Sequence, residues 1–183
     1  MTVTGSDDVL QQLPPGTYRV DPTRSNVRYT GRHMFGLGGV QATFAVAAGL
    51  LEVAEPASGS SIQLTVDPAT FTSDKTRRDL HVRSKTLLDV EQYPEISFHS
   101  TAVRADGDQW VVIGDVTAHG STQPVEITVD RVTASGTDVT VHAVATLDRY
   151  AFGVTGVKGM AGRQVALEFD LTAARTSTSA ESS

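Results

Sequence analysis

A chain of 183 residues without a single cysteine is long enough for one domain with a sizeable core, and it excludes disulfides and cysteine-based metal or redox sites. The formal net charge of -6 comes from 21 acidic and 15 basic residues that are interspersed along the sequence. Such mixing provides no basic field for nucleic acid and no cationic face for anionic lipid.

Both ends of the chain are predicted to lie outside the folded domain. Residues 1–13 are expected to be flexible and residues 174–183 disordered, because neither segment buries enough apolar surface to offset the entropy of ordering. The acidic start lacks the positive charge of a secretory signal, and the apolar stretch 42–53 is shorter than the ~20 residues of a spanning helix. We therefore expect one domain over residues 14–173, a cytoplasmic location and no stable membrane insertion.

Alternation of apolar and polar residues dominates the predicted domain, and this period of two is typical of antiparallel strands with one wet face. In residues 139–147 it places Val139, Val141, Ala143 and Ala145 on one face. Hairpin loops are predicted around Gly107, Gly120 and Gly136, the second followed by Pro124 at the start of a strand. The predicted strands are 17–20 (a possible short edge), 26–33, 40–53, 61–68, 95–103, 109–118, 125–132 with 139–147 (one strand or two), and 164–173. Eight or nine such strands indicate an all-β barrel or sandwich.

One segment, 72–83, breaks the alternation and begins with residues suited to capping a helix. It predicts a short helical insertion near residues 74–90, which lies either across a barrel mouth or along the surface as an ordinary connection. Its side chains Arg77, Arg78, Asp79 and His81 have two interpretations. They either grip the polar head group of a ligand, since arginine matches phosphate bidentately, or tie the helix to the barrel. For Asp79 the structural interpretation is favoured.

A catalytic or metal centre is not predicted. No Gly-x-Ser-x-Gly nucleophile elbow occurs, and the glycine-rich stretch 153–162 lacks the Gly-Lys-Ser/Thr of a phosphate loop. No two of the five histidines are spaced four residues apart as in a helical zinc site. The interior of a small barrel is filled by side chains or by a ligand, and the small inward residues Ala42, Ala143 and Ala145 favour space for a ligand. No cofactor is expected.

Five ordered blocks of the sequence stand out: residues 18–27, 32–44, 78–98, 114–125 and 149–154. The most specific contains the run Arg78-Asp79-Leu80-His81, followed by Tyr93-Pro94 before a strand. Together these blocks resemble motifs of the YceI-like proteins, the lipocalin-like polyisoprenoid-binding family. The sequence departs from those motifs at three places: Arg24 replaces a usual histidine, Ser121 replaces valine, and Leu87-Leu88 replaces an aromatic pair.

The resemblance implies an extended lipocalin-like, eight-stranded antiparallel β-barrel whose pore holds an amphiphilic polyisoprenoid or isoprenoid quinone, and by analogy a possible homodimer. We therefore expect a non-enzymatic carrier, store or sequestering protein. The tail is expected to contact Tyr29, Phe35, Phe44, Leu64, Phe98, Trp110, Phe152, Met160 and Phe169. The head group is expected to contact Arg32, His33, Arg77, Arg78, His81 and Lys158.

Two alternatives stay open. The first is an isomerase- or cyclase-like enzyme that acts on a bound lipid through His81 or His33. The second is a structural or signalling module whose barrel is filled by its own side chains.

Overall fold

Nine antiparallel strands and one α-helix make up most of the described chain. The computed structural model describes residues 13–33, 38–158 and 161–176, with the backbone alone at 32, 33 and 38. The elements are β1 (Gly16–Val20), β2 (Asn26–His33), β3 (Gly38–Val53), β4 (Ser61–Ser73), α1 (Thr76–Arg83), β5 (Ile96–Asp106), β6 (Gln109–Ala118), β7 (Ser121–Ser135), β8 (Asp138–Asp148) and β9 (Gln164–Arg175). Among the described residues, no helix has both the length and the apolar character needed to cross a bilayer.

The strands close into a barrel with an up-and-down order. Each strand from β2 to β8 pairs with its successor, and β9 closes the barrel by pairing with β2, where Val27 lies opposite Phe169. The strand β1 pairs with residues 50–53 of β3 and residues 173–175 of β9, whereas β2 pairs with residues 38–45 and 166–170 of the same two strands. β1 and β2 therefore lie end to end and together occupy one position in the wall. The wall therefore has eight positions, which confirms the predicted eight-stranded antiparallel barrel. Because β1 is bonded on both sides, it is not an edge strand.

Several predicted boundaries shift once pairing partners are known. β7 and β8 are two separate strands, and β7 begins at Ser121, so Pro124 lies within it opposite Asp115. β4 continues to Ser73, which moves the start of the helix to Thr76. At the domain limits, Leu13 is buried and β9 runs to Arg175, whereas residues 1–12 and 177–183 lie outside the described residues.

The barrel has two unlike ends. We call one the mouth end, formed by α1, the connection 84–95, the hairpin 119–120 and the connection 149–163. We call the other the closed end, formed by the hairpins 107–108 and 136–137 and the connection 54–60. At the closed end the interior is packed with buried side chains: Tyr18, Val20, Trp110, Val132, Val139 and Ala173.

Candidate functional site

An apolar cavity of about 460 Å³ occupies the half of the barrel toward the mouth end. This volume lies within the ~300–1,000 Å³ typical of small-molecule sites. The inward side chains of the alternating strands form its wall, which is why the period-two pattern produces a continuous apolar surface. The wall includes Val27, Phe44, Leu64, Phe71, Phe98, Val116, Ile127, Ala143, Ala145, Phe169 and Leu171.

The helix α1 lies at the mouth of this cavity. Arg78, His81 and Val82 of α1 line it, and the following turn adds Leu87 and Leu88. Of the two predicted placements, the helix across the mouth is therefore the observed one. This aliphatic pair keeps that part of the wall apolar.

Asp79 ties α1 to the end of β4. Its buried carboxylate accepts hydrogen bonds from the backbone N–H of Ser73 (2.9 Å) and from the Ser73 hydroxyl (2.6 Å). Burial alone would raise the pKa of Asp79, but the Ser73 hydrogen bonds and the nearby charges of Arg83 and Arg78 outweigh it and hold the pKa below its usual value. Arg83 adds a second tie by donating to the carbonyl of Phe71. Asp79 thus positions the helix.

Arg149 organises the second long connection at the mouth. Its buried guanidinium donates to four backbone carbonyls: Gly162 (2.8 Å), Val154 (2.8 Å), Gly156 (2.9 Å) and Ala161 (3.0 Å). The planar fork of arginine can satisfy several carbonyls at once, so it folds the glycine-rich connection into a wall of the cavity. None of the carboxylates in the described residues forms an ion pair with it.

Sequence reasoning missed Arg149 as a site residue. It begins the resemblance block 149–154 and directly precedes the glycine-rich stretch 153–162, and that combination was the available signal. The stretch also needs glycine at position 156, where the connection 149–163 packs against the connection 84–95. A Cβ on Gly156 would collide with the carbonyl oxygen of Thr86 and lie 3.1 Å from a methyl of Leu87. The glycine therefore permits close packing of the connections.

Tyr29 places a phenol inside the apolar wall. The ring packs edge-on against Phe71, with centroids 5.7 Å apart. Gly31 makes room for it, since a Cβ at that position would collide with the Tyr29 hydroxyl. Burial raises the pKa of Tyr29, and the charge of Arg149 opposes part of that rise. The neutral hydroxyl is thus a hydrogen-bond donor within the cavity.

The structure brings most of the predicted tail residues together. Trp110 is the exception: it is the second residue of β6, and it packs at the closed end with an indole N–H that has no partner among the described residues. Phe35 and Met160 lie outside the described residues. Six of the nine line the cavity: Tyr29, Phe44, Leu64, Phe98, Phe152 and Phe169.

The predicted head-group residues are divided. Arg78 and His81 line the cavity at its mouth, where Arg78 also pairs with the exposed carboxylate of Asp74 at 3.1 Å. Arg77 is exposed, and the ammonium of Lys158 lies over the Tyr150 ring, 5.3 Å from its centroid, so neither lines the cavity.

The remaining two predicted head-group residues, Arg32 and His33, have side chains that lie outside the part of the chain that the structure describes.

The described residues contain no group of three or more histidine, aspartate or glutamate side chains arranged to hold a metal ion.

Comparison with known proteins matches a family model over nearly the whole barrel and curated relatives over a shorter part. The YceI-like domain family model matches residues 18–173. A UPF0312 protein of Photorhabdus laumondii is 39% identical over 66 residues, which cover 36% of this chain and 34% of that protein. Protein YceI of Escherichia coli is 34% identical over 70 residues, 38% of this chain and 37% of that protein. The aligned segments thus span about a third of these curated relatives.

Solved structures share the fold over a larger part of the chain. BcnA of Burkholderia cenocepacia superposes with a TM-score of 0.74 at 25% identity, covering 84% of this chain and 98% of that one. A polyisoprenoid binding domain of Saccharophagus degradans, implicated in plant cell wall breakdown, gives a TM-score of 0.64 at 14% identity and covers 89% of this chain and 100% of its own. At that identity the second likeness concerns the fold alone.

Proposed function

This chain belongs to the YceI-like domain family, and we propose that its cavity binds the prenyl tail of a polyisoprenoid or isoprenoid quinone without acting on it chemically. The observation that carries the proposal is the cavity itself, whose lining on strands β2 to β9 is almost entirely apolar and whose charged side chains, Arg78, His81 and Arg149, lie at the mouth. The polyisoprenoid-binding description of the Saccharophagus degradans domain, which has the same fold, supports the ligand class. The physiological task would be transport, storage or sequestration.

Burial of the tail supplies the driving force in this proposal. Each methylene removed from water contributes ~0.8 kcal/mol, so a prenyl chain offers ample gross affinity before the costs of ordering are subtracted. Apolar contacts discriminate poorly between chain lengths. We therefore expect selectivity to come mainly from the head group.

The head group is proposed to lie at the mouth against Arg78 and His81. Arg78 offers a charged donor there, and Tyr29 offers a neutral donor deeper in the wall. Arg149 has a different task, because four of its donors already serve backbone carbonyls. It shapes the wall that the head group passes.

Native mass spectrometry of the freshly purified chain, followed by denaturing extraction, tests the proposal directly. We expect a bound mass that is released on denaturation and identified as a prenyl alcohol, diphosphate or quinone. A clean ligand-free mass, unchanged after incubation with prenyl lipids, would argue for a barrel that serves only as a structural or signalling module.

A cavity-filling variant sharpens that test. Ala145→Phe places a ring in the cavity, whereas Ala166→Phe, the control, places the same ring on the exposed outer face of the neighbouring strand. We expect Ala145→Phe to abolish prenyl-lipid binding while the protein stays folded, since the ring enters existing space. If the barrel were full, overpacking would instead lower the free energy of unfolding by ~1–3 kcal/mol.

Nothing in the described side chains favours the enzyme alternative, and the side chain of His33 is not among them. His81 faces the cavity mouth, but its imidazole has no hydrogen-bond partner among the described side chains that could orient it as a general base. The cytoplasmic location and the homodimer remain predictions, to be checked by fractionation of cells and by light scattering.

A further inference from the structure

Basic and acidic residues are interspersed along the sequence, but they are unevenly distributed between the two ends of the folded barrel. Of the described charged residues, the two mouth connections 74–95 and 148–163 hold eight Lys and Arg against six Asp and Glu. The rest of the described chain holds seven against twelve. All three lysines of the sequence lie in the mouth connections, and two of the six acids there, Asp79 and Asp89, are buried. The mouth end is therefore basic on a protein that is acidic as a whole.

The outward face of α1 combines this charge with an exposed apolar side chain. Leu80 is 61% exposed, far more than Val144 at 38%, the other large hydrophobic residue on the described surface. Arg77 precedes Leu80 by three residues on the helix and is exposed, and the exposed side chains of Lys75 and Lys85 lie just outside the two ends of the helix. None of these three forms a salt bridge with a described carboxylate. An exposed leucine and three cations without a described carboxylate partner provide the two elements of peripheral binding to anionic lipid, an apolar contact and positive charge.

This surface lies beside the entrance of the cavity, because the same helix turns Arg78, His81 and Val82 toward the interior. We propose that the mouth end docks reversibly on an anionic bilayer, with Leu80 among the head groups and Lys75, Arg77 and Lys85 near the lipid phosphates. Docking there would let a prenyl ligand pass between bilayer and cavity without crossing water, and only this consequence rests on the proposed function.

Charge polarity also fixes the orientation of docking. The negative surface potential of the bilayer attracts the mouth end and repels the more acidic remainder of the protein. Each Lys or Arg near such a surface strengthens partitioning by about fivefold at physiological ionic strength, and the attraction decays within a Debye length of ~8 Å. Three cations and one leucine thus give weak, salt-sensitive binding, in keeping with a protein that docks and leaves.

Cosedimentation with vesicles free of prenyl lipid tests the docking by itself. We expect the full chain to bind vesicles of phosphatidylcholine with about one-third phosphatidylglycerol, and not pure phosphatidylcholine, with binding lost as salt rises. K75Q/R77Q/K85Q should weaken partitioning on the order of a hundredfold. The control R19Q/R104Q/R131Q removes the same charge from elsewhere on the barrel and should bind nearly as well as the parent chain, because charges more than a Debye length from the bilayer are screened.

Leu80→Ser should also weaken partitioning of the chain onto anionic vesicles, whereas Val144→Thr, its control on the outer sheet face, should not. Equal binding to both kinds of vesicle, or equal weakening by the two charge triples, would overturn the proposal. Ligand uptake from detergent micelles separates it from the proposed function. K75Q/R77Q/K85Q should take up prenyl lipid from micelles normally but slowly from vesicles. A chain that docks yet takes up no prenyl lipid from either source would refute the proposed function and leave docking in place.

Discussion

The two halves of the barrel are built from the same strands with the same alternation, yet one half is solid and the other hollow. At the closed end Trp110 and Val139 are 4% and 0% exposed and fill the interior. Toward the mouth the inward positions of β8, the strand of Val139, include the small residues Ala143 and Ala145, and the cavity of about 460 Å³ remains. Alternation thus decides which side chains point inward. The sizes of those side chains, and what covers each end, decide whether the interior is full.

The largest expected effect comes from opening the closed half. Trp110→Ala should lower the free energy of unfolding by ~3–5 kcal/mol, because it leaves a void among packed side chains. Phe169→Ala, the matched change in the cavity wall, should cost less, since one face of that ring already borders empty space. Urea denaturation of both variants measures the difference, and an equal loss would contradict the contrast between the two halves.

A second prediction concerns the wall at the mouth. Arg149→Met leaves four carbonyls without their donor and should cost about 3 kcal/mol, concentrated in the connection 149–163. Hydrogen exchange should show that connection losing protection while the closed end keeps it. Arg149→Lys should not restore it, because a lysine lacks the planar fork. The control Arg163→Met, at an exposed ion pair, should leave the exchange pattern unchanged.

The tie between α1 and β4 gives a smaller effect that depends on pH. Asp79→Ala should cost about 2 kcal/mol near neutral pH, because a buried charged acceptor and its two hydrogen bonds are lost. The pKa of Asp79 is held below 3.8, so its contribution is present above that pH and disappears as the pH falls through the lower, folded-state pKa. Denaturation curves of the parent chain and Asp79→Asn should therefore converge in acid. Asp74→Ala, on an exposed carboxylate, is the control.

The smallest change in stability is expected on the outer face of the barrel, away from both halves of the interior. His142 hydrogen bonds to Asp130 (2.5 Å) and Glu168 (2.6 Å), and these two carboxylates raise its pKa above 6.5. A raised pKa means that the stabilisation is fully present below pH 6.5 and is lost as the pH rises through the folded-state pKa. His142→Gln should thus lower the melting temperature at pH 6 or below and match the parent chain in alkali. A gap that persists in alkali would refute the assignment.

Much of the architecture followed from local chemistry. Apolar-polar alternation, with glycine at the turns, predicted nearly every strand and the all-β class, because a strand between water and a core must alternate. The resemblance of five ordered blocks added the eight-stranded closure. The strand limits were less accurate: β4 and β7 extend beyond their predicted bounds because pairing with neighbours, which sequence spacing does not reveal, keeps Ser73 and Ser121 in the sheet.

The tertiary structure alone decided which residues share the site. Six predicted tail residues meet in one cavity, whereas Trp110, equally apolar, lies at the other end because its distance from a hairpin sets its height in the barrel. The role of Arg149 could be recognised only from its hydrogen bonds to backbone carbonyls that lie five to thirteen residues further along the chain. The basic mouth likewise arises when two connections far apart in sequence meet. Sequence determines which face of a strand is apolar, and closure of the barrel determines the height and the neighbours of each side chain, because both depend on register between distant strands.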